Sequence, residues 1–435
     1  MRVLWFSHIT FNPNKEGKFF YPGGNWITSL KELIDNDPNI ELGITFFGDE
    51  EGVYEDNTGT KYYQLIKKHN SKFKNYYNNW RRDIGSDIDL KKLAHTIQDF
   101  KPDVIHIFGT ESIFGNIVNY TSVPVVIHLQ GLINPCINAW QFPGFKVNSL
   151  LLRSNFLFLV KGVGLFHDFF RYKKIARREL EIFRSGRHFM GRTHWDKAVT
   201  NLYAPQANYY HCDEVIRDCF YQVKWEMPKG KRFIIATTIN ANMYKGLDLI
   251  LKTARLLKHF SATDFEWRVY GVRSDSEYAR FIEAIINDKF SSNNVVLKGM
   301  TLTDDLLKGL LQSNLFVHSS YIDNSPNSVC EAQIIGLPVV STNVGGLSTL
   351  IHDEVDGYLV PSNEPEMLVY KIIDLAANPE KLEAVSKKSA EVARKRHDRT
   401  TIKKSLLGIY SSIANKNNPQ TFTNNESGHQ QNGMV

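Results

Sequence analysis

The chain has 435 residues, 42% of them hydrophobic, and a formal net charge of +6. That length suits two domains of about 200 residues, each large enough for its own core, and the hydrophobic share is ordinary for a soluble globular protein. The opening Met1-Arg2-Val3-Leu4-Trp5-Phe6 reads as a buried strand rather than a signal peptide, and no uncharged apolar run approaches the ~18 residues of a membrane span. Cys136, Cys212, Cys219 and Cys330 lack zinc or redox spacing, which points to free thiols in a reducing compartment.

Short apolar strands alternate with helical patterns along the whole chain, as expected of parallel α/β sheets. In the first half, strands are predicted at Val3 to Phe6, Glu41 to Phe47, Val104 to Ile107, Val125 to Leu129 and His188 to Met190. Trp26, Ile27, Leu30, Leu33 and Ile34 recur at helical spacing, so a helix opens just after Gly23-Gly24. Glycines between a first strand and a first helix let backbone approach a phosphate or a sugar, which makes Gly23 and Gly24 candidate cleft residues. Gln130-Gly131 and Gly191-Arg192 each follow a strand end, where α/β folds bind ligands, so Gln130 and Arg192 are further candidates for the cleft or for an acceptor phosphate. His128 points to the opposite face from Gln130 if the strand continues, and reads as a core histidine.

Residues 146–192 hold eleven Lys and Arg against Asp168, Glu179 and Glu181, a local charge of about +8. The same stretch contains Leu150-Leu151-Leu152 and Phe156-Leu157-Phe158-Leu159-Val160. Apolar and basic residues on one stretch suggest contact with a membrane interface; the alternative is a buried helix with a solvated basic face. No nucleic-acid reader motif accompanies the charge. Pro228 and Gly230 punctuate a linker near Trp225 to Lys231. A second α/β domain then begins at Phe233 to Ala236 and continues through strands at Trp267 to Tyr270, Val295 to Leu297, Leu315 to Val317 and Val339 to Ser341. A helical pattern runs from about Thr400 to Ile413. From Asn415 on, an Asn- and Gln-rich tail has almost nothing to bury and is expected to be disordered.

The densest signal is Asp323-Asn324-Ser325-Pro326-Asn327-Ser328-Val329-Cys330-Glu331, followed by Gly336-Leu337-Pro338. Ser325 is the expected N-cap, Pro326 the first helical residue, and Gly336 the left-handed residue after the helix. An anion near Asn327 and Ser328 would meet free backbone N–H groups and the positive helix end. Asp323 and Glu331 bracket this position and can accept hydroxyl hydrogen bonds on either side. A phosphate flanked by two polyols describes a nucleotide sugar. No Asp-x-Asp or His/Cys cluster spells a metal site.

The segment resembles the donor site of family 4 retaining glycosyltransferases, whose fold is GT-B and whose signature is Glu, seven residues, Glu, then a small-residue helix and Gly-x-Pro-Val-Val. Here Asp323 stands in the first acidic position. Tyr244-Lys245-Gly246-Leu247-Asp248, Val269-Tyr270-Gly271, Gly345-Gly346 and Asp356-Gly357-Tyr358 extend the resemblance over about 229–412. It implies two Rossmann-like domains facing across a cleft: an acceptor-side domain over 1–225, a nucleotide-sugar domain over 229–398, and a helix over 399–414 returning to the first domain, with the polar tail at 415–435. It also implies that Lys245 contacts the donor diphosphate, that Glu331 accepts from the ribose hydroxyls and that Asp323 binds the transferred sugar. Ser325, Asn327 and Ser328 are small polar residues that let the ligand reach the helix start. The family's usual Arg five residues before Lys245 is replaced by Asn240, which can donate a hydrogen bond but carries no charge. Relatives often have His-Gly where this chain has Gln130-Gly131.

The expected activity is retaining, metal-independent transfer of a hexosyl unit from a UDP- or GDP-linked sugar, with no cofactor. The basic, apolar first domain suits a lipid-linked saccharide acceptor, in assembly of capsule, O-antigen or exopolysaccharide. That would place the protein in the cytoplasm, peripheral at the inner face of the plasma membrane. Two alternatives are a nucleotide-sugar epimerase, which would lack the Asp323-to-Glu331 signature, and a non-catalytic sugar-binding scaffold, which would explain Asp323 and Asn240 as decay.

Overall fold

A computed structural model describes residues 1–9, 26–35, 37–48, 50–66, 72–81, 90–141 and 145–416. Gly23, Gly24 and the tail beyond 416 lie outside the described residues. The first half forms an eight-stranded sheet ordered β3-β4-β2-β1-β5-β6-β7-β8. Its strands are β1 (Arg2–Phe6), β2 (Glu41–Gly48), β3 (Gly52–Glu55), β4 (Lys61–Ile66), β5 (Val104–Phe108), β6 (Val125–His128), β7 (His188–Gly191) and β8 (Asn208–His211). Every pairing is parallel except the β3–β4 hairpin at the edge. The helices of this half are α1 (Trp26–Ile34), α2 (Lys72–Arg81), α3 (Leu90–Phe100), α4 (Ile133–Asn138), α5 (Val147–Arg153), α6 (Phe156–Lys161), α7 (Leu165–Ser185), α8 (His194–Tyr203) and α9 (Asp218–Tyr221).

The second half is a doubly wound, all-parallel sheet ordered β11-β10-β9-β12-β13-β14. Its strands are β9 (Phe233–Thr238), β10 (Phe265–Tyr270), β11 (Val295–Gly299), β12 (Leu315–His318), β13 (Val339–Thr342) and β14 (Tyr358–Val360). The chain reverses its winding between β9 and β12, so the carboxyl ends of these strands open the crevice where such sheets bind ligands. The surrounding helices are α10 (Leu247–Phe260), α11 (Glu277–Ile286), α12 (Thr303–Leu311), α13 (Asn327–Ile335), α14 (Leu347–Leu350), α15 (Pro365–Ala377), α16 (Pro379–Arg396) and α17 (Arg399–Lys416). The central strands are buried on both faces, which is why they read in the sequence as continuous apolar runs.

The terminal helix α17 returns to the first sheet. Ile402, Leu406, Ile409, Tyr410 and Ile413 are buried in one cluster with Val3, Trp5, Ile27 and Leu30. Tyr410 Oη accepts from Trp5 Nε1 at 3.1 Å and lies 2.6 Å from His106 Nδ1, whose Nε2 is 3.2 Å from His128 Nδ1. His128 is thus a core histidine. Between the domains, Phe145 meets Phe281 at 5.6 Å, and Leu165 N donates to Glu277 Oε2 at 3.3 Å. Among the described residues no helix is long and apolar enough to cross a membrane.

Burial keeps three histidines neutral: His106 and His397 are each held down to about 3, and His128 well below its usual value. Between that range and the unfolded value near 6.5 the unfolded chain binds the extra protons. Stability is therefore full above about pH 6.5 and is expected to fall as the pH drops toward 3, by up to about 1.4 kcal/mol per pH unit for each histidine. Thermal denaturation across that window should show the loss; a flat midpoint would contradict it.

Candidate donor site

Four loops at the carboxyl ends of the second sheet, after β9, β10, β11 and β12, build the site. After β9, a single 3-10 turn, Met243–Lys245, ends at Gly246, whose φ is +72°. A Cβ there would sit 2.0 Å from the Ser319 carbonyl oxygen, so the turn needs glycine. Ser319 Oγ donates to Lys245 O at 3.0 Å, and Tyr321 N donates to Tyr244 O at 2.7 Å. The Lys245 turn is thereby stitched to the loop after β12, which carries Asp323.

That stitching brings two of the expected residues together. Lys245 Nζ donates to Asp323 Oδ2 at 2.6 Å, with both side chains 15% exposed, and His318 Nε2 lies 3.1 Å from the same oxygen. Burial would raise the Asp323 carboxyl, but Lys245, and after it His318, hold it well below the usual carboxylate range. Burial lowers His318 despite Asp323. Asp323 therefore stays ionised at neutral pH and places a fixed negative charge at the cleft.

Helix α13 starts one residue later than its sequence suggests. Pro326 is the N-cap, with φ −69° and ψ 121°, and no side chain caps the first turn. Ser325 is not the cap because its hydroxyl is used elsewhere: it donates to Glu214 Oε1 at 3.3 Å. Gly336, at φ +87°, closes the helix as expected. A cavity of about 330 Å³ lies over the helix start. It is lined by Thr238–Asn240, Lys245, Gly271, Met300, Thr301 and Pro326–Ser328. Asn240 thus faces the same space as Lys245, and its Oδ1 accepts from Asn242 Nδ2 at 2.9 Å. Bare backbone N–H groups and a lysine around a cavity of this size suit a phosphorylated ligand.

Glu331 is buried one and a half turns inside α13. Arg217, just before α9, donates to its Oε1 from Nε at 2.9 Å and lies 2.7 Å from the same oxygen through Nη2. Arg217 Nη1 donates to Thr303 Oγ1 at 2.8 Å. Burial raises the Glu331 carboxyl, and Arg217 draws it back down. The Arg217 bridge joins Glu331 to the α12 start, close to Met300 and Thr301 of the cavity wall.

The first domain reaches this loop through side chains that the sequence did not single out. Asn324 Nδ2 donates to Asp196 Oδ2 at 2.8 Å, and Thr193 Oγ1 donates to Asn324 Oδ1 at 2.6 Å. The Gln130 carbonyl oxygen lies 3.4 Å from Asn324 Nδ2, and Gln130 Nε2 is buried without a hydrogen-bond partner among the described residues. Glu214 is fully buried and receives Ser325 and, with its amide suitably turned, Asn327 at 2.8 Å to each carboxylate oxygen. Arg192 is an ion-pair partner of the same Glu214 and is only 3% exposed. It packs over the Trp26 ring at 5.3 Å and donates to Leu129 O at 3.1 Å. This correction to the expected cleft position has a plain cause: the buried Glu214 carboxylate needs a cation, and Arg192 supplies it beneath the cleft. Beside Lys245, whose Nζ lies 5.6 Å from the Tyr244 ring centre, the Tyr244 and Trp140 rings meet at 6.2 Å, and Trp140 and Tyr172 at 4.7 Å, an aromatic cluster drawn from both domains.

The family described as "Glycosyl transferases group 1" has a model that matches residues 222–392. The loop that carries Asp323, the Lys245 turn and α13 all fall inside the matched residues. A relative in Escherichia coli K12, the putative colanic acid biosynthesis glycosyltransferase WcaL, is 22% identical over 176 residues, 39% of this chain and 42% of its own length. The amylovoran biosynthesis glycosyltransferase AmsK of Erwinia amylovora is 25% identical over 138 residues, 30% of this chain and 33% of its own. The chain thus spans between a third and about two-fifths of the length of these curated relatives. Among solved structures, sucrose-phosphate synthase from Thermosynechococcus elongatus superposes with a TM-score of 0.71 at 12% identity, over 95% of this chain and 99% of that one. HepE from Anabaena, in complex with UDP-glucose, superposes at 0.63 with 14% identity, over 95% and 100%. These likenesses show the fold: two Rossmann-like domains of the GT-B type, the residues matched by the family model lying mostly in the second.

Proposed function

We propose that the protein is a retaining glycosyltransferase that moves a hexosyl unit from a UDP- or GDP-sugar to a saccharide acceptor, carried on a lipid and used in surface polysaccharide assembly. The observation that carries this reading is Lys245, paired with Asp323, in the wall of a cavity that opens on the start of α13. The diphosphate would lie between Lys245 and the α13 N–H groups, with Asn240 as a neutral donor beside them. Asp323 would face the sugar, where its charge favours the positive character that develops at the anomeric carbon. As the acceptor oxygen bonds to that carbon, the bond to the diphosphate breaks, and Lys245 and the helix end stabilise the departing charge. The acceptor proton can leave on the diphosphate, so no separate base is required. Ser325 and Asn327, tied to Glu214, hold the helix start in place, and Ser328 lines the phosphate end.

UDP-glucose bound to HepE and the polysaccharide pathways in the names of WcaL and AmsK support the donor and acceptor classes. The ribose assignment has its own test. Glu331→Ala is expected to weaken binding of the matching nucleoside diphosphate by about 1.5–3 kcal/mol, the worth of hydrogen bonds to a charged acceptor. Titration calorimetry reads this directly; unchanged affinity in a folded variant would remove Glu331 from the nucleoside site.

A further inference from the structure

We propose that α2, α5 and α6 form a docking platform for an anionic lipid bilayer, and that the basic face of α7 does not. The residues of 146–192 part company in the structure. On α7, Phe169, Ile182 and Phe183 are buried, Arg171 pairs with Asp168 at 2.7 Å, and Arg178 donates to the Glu111 carbonyl oxygen. On α5 and α6 most of the described apolar side chains turn outward instead, Leu150 alone being buried: Leu152 is 85% exposed, Phe156 75% and Leu157 60%. No residue of α6 is buried.

This exposed face is continued by a helix that the sequence did not mark. Trp80 Nε1 on α2 donates to Val160 O at 2.8 Å, and Asn79 Nδ2 donates to Lys161 O at 3.3 Å. Gly162, at φ +71°, ends α6 where a Cβ would meet Asn79 Cβ at 2.9 Å, so the two helices are joined closely. The joined α2 adds Phe73, 86% exposed, with Tyr77 and Trp80 about half exposed. The two stretches 72–81 and 146–161 hold about half of the exposed large hydrophobic side chains among the described residues. A patch this dense marks an interaction surface.

Charge selects the occupant. Lys146, Arg153 and Lys161 are exposed at α5 and α6, and neither stretch contains an acidic residue. A second copy of this chain would set like charges against like. An anionic bilayer supplies the opposite charge, takes up the Phe and Leu side chains, and suits Tyr and Trp at the headgroup level. The patch belongs to the first half of the chain and none of its residues lines the cavity, so on the proposed function docking would hold the donor site near a lipid-borne acceptor.

The test is flotation with vesicles of phosphatidylglycerol and phosphatidylcholine in equal parts, and of phosphatidylcholine alone. The full chain should bind the anionic vesicles and release from them as salt rises, because screening shortens the reach of the charges. Phe156→Ser combined with Leu157→Ser, both exposed and outside the core, should weaken binding at least about tenfold. Lys174→Gln with Arg177→Gln on α7 should change it less than twofold. Vesicle binding is read without donor or acceptor, so its outcome is separate from that of the transfer assay. Loss of binding in the α7 variant alone would overturn the assignment. So would indifference to anionic vesicles together with a dimer in gel filtration that the Phe156 and Leu157 changes dissociate, since a second copy would then be the occupant.

Discussion

Asp323→Asn is expected to lower transfer at least ~10³-fold while leaving nucleoside diphosphate affinity within a few fold, in keeping with the weight of electrostatic terms in such sites. The carboxylate is ionised because Lys245 at 2.6 Å and His318 at 3.1 Å outweigh its burial. Asparagine keeps the shape and loses the charge. The sugar then lacks the negative partner of its developing positive charge, and Lys245 loses its counter-ion. Asp323→Glu keeps the charge on a longer arm and should retain measurable transfer. Rates with saturating donor separate the two variants, and full activity of Asp323→Asn would place the residue outside the chemistry.

Lys245→Ala should reduce turnover at least ~10²-fold, more than it weakens binding of the bare nucleoside. The diphosphate gains charge as it leaves, so a cation held beside it acts mainly in the transition state. Here that cation stands without an arginine at the fifth position before it: Asn240 lines the same cavity and contributes no charge. The Gly246 turn and its bonds to Ser319 fix the lysine before any ligand arrives, which keeps the reorganisation cost low. A Lys245→Ala enzyme within a few fold of the parent would refute the role.

The elements that surround this site were readable because each local signal agreed with the global fold. Pro326 and Gly336 bracket α13, apolar runs mark β9 to β13, and the interval from Asp323 to Glu331 places both carboxylates. The helix start slipped by one residue because Ser325 has two possible partners, its own helix and Glu214, and only the tertiary structure decides between them. Glu214, Asp196 and Arg217 escaped notice for a related reason. Their partners stand more than a hundred residues away, and no periodicity announces a single buried carboxylate. Arg192 looked like a ligand contact because a strand end precedes it, yet its counter-charge lies under the cleft. His318 could have been found, since it closes β12 at the ligand-binding end of the sheet. Strands β3, β4, β8 and β14 were not predicted: β4 carries Lys61 and Gln64 among its tyrosines, and the other three have four residues or fewer. The exposed aromatic face of α2 was hidden because its meaning depends on α6, some eighty residues away.

The central claim is that a nucleotide sugar is consumed at the Lys245–Asp323 site. The direct measurement incubates the protein with a panel of UDP- and GDP-hexoses and lipid-linked saccharide acceptors, and follows products by mass spectrometry and released nucleoside diphosphate by chromatography. The account predicts an acceptor heavier by one hexosyl residue, an equal amount of nucleoside diphosphate, and loss of both in Lys245→Ala and Asp323→Asn. Donor recovered unchanged with every sugar of the panel, or transfer that survives both substitutions, would contradict it.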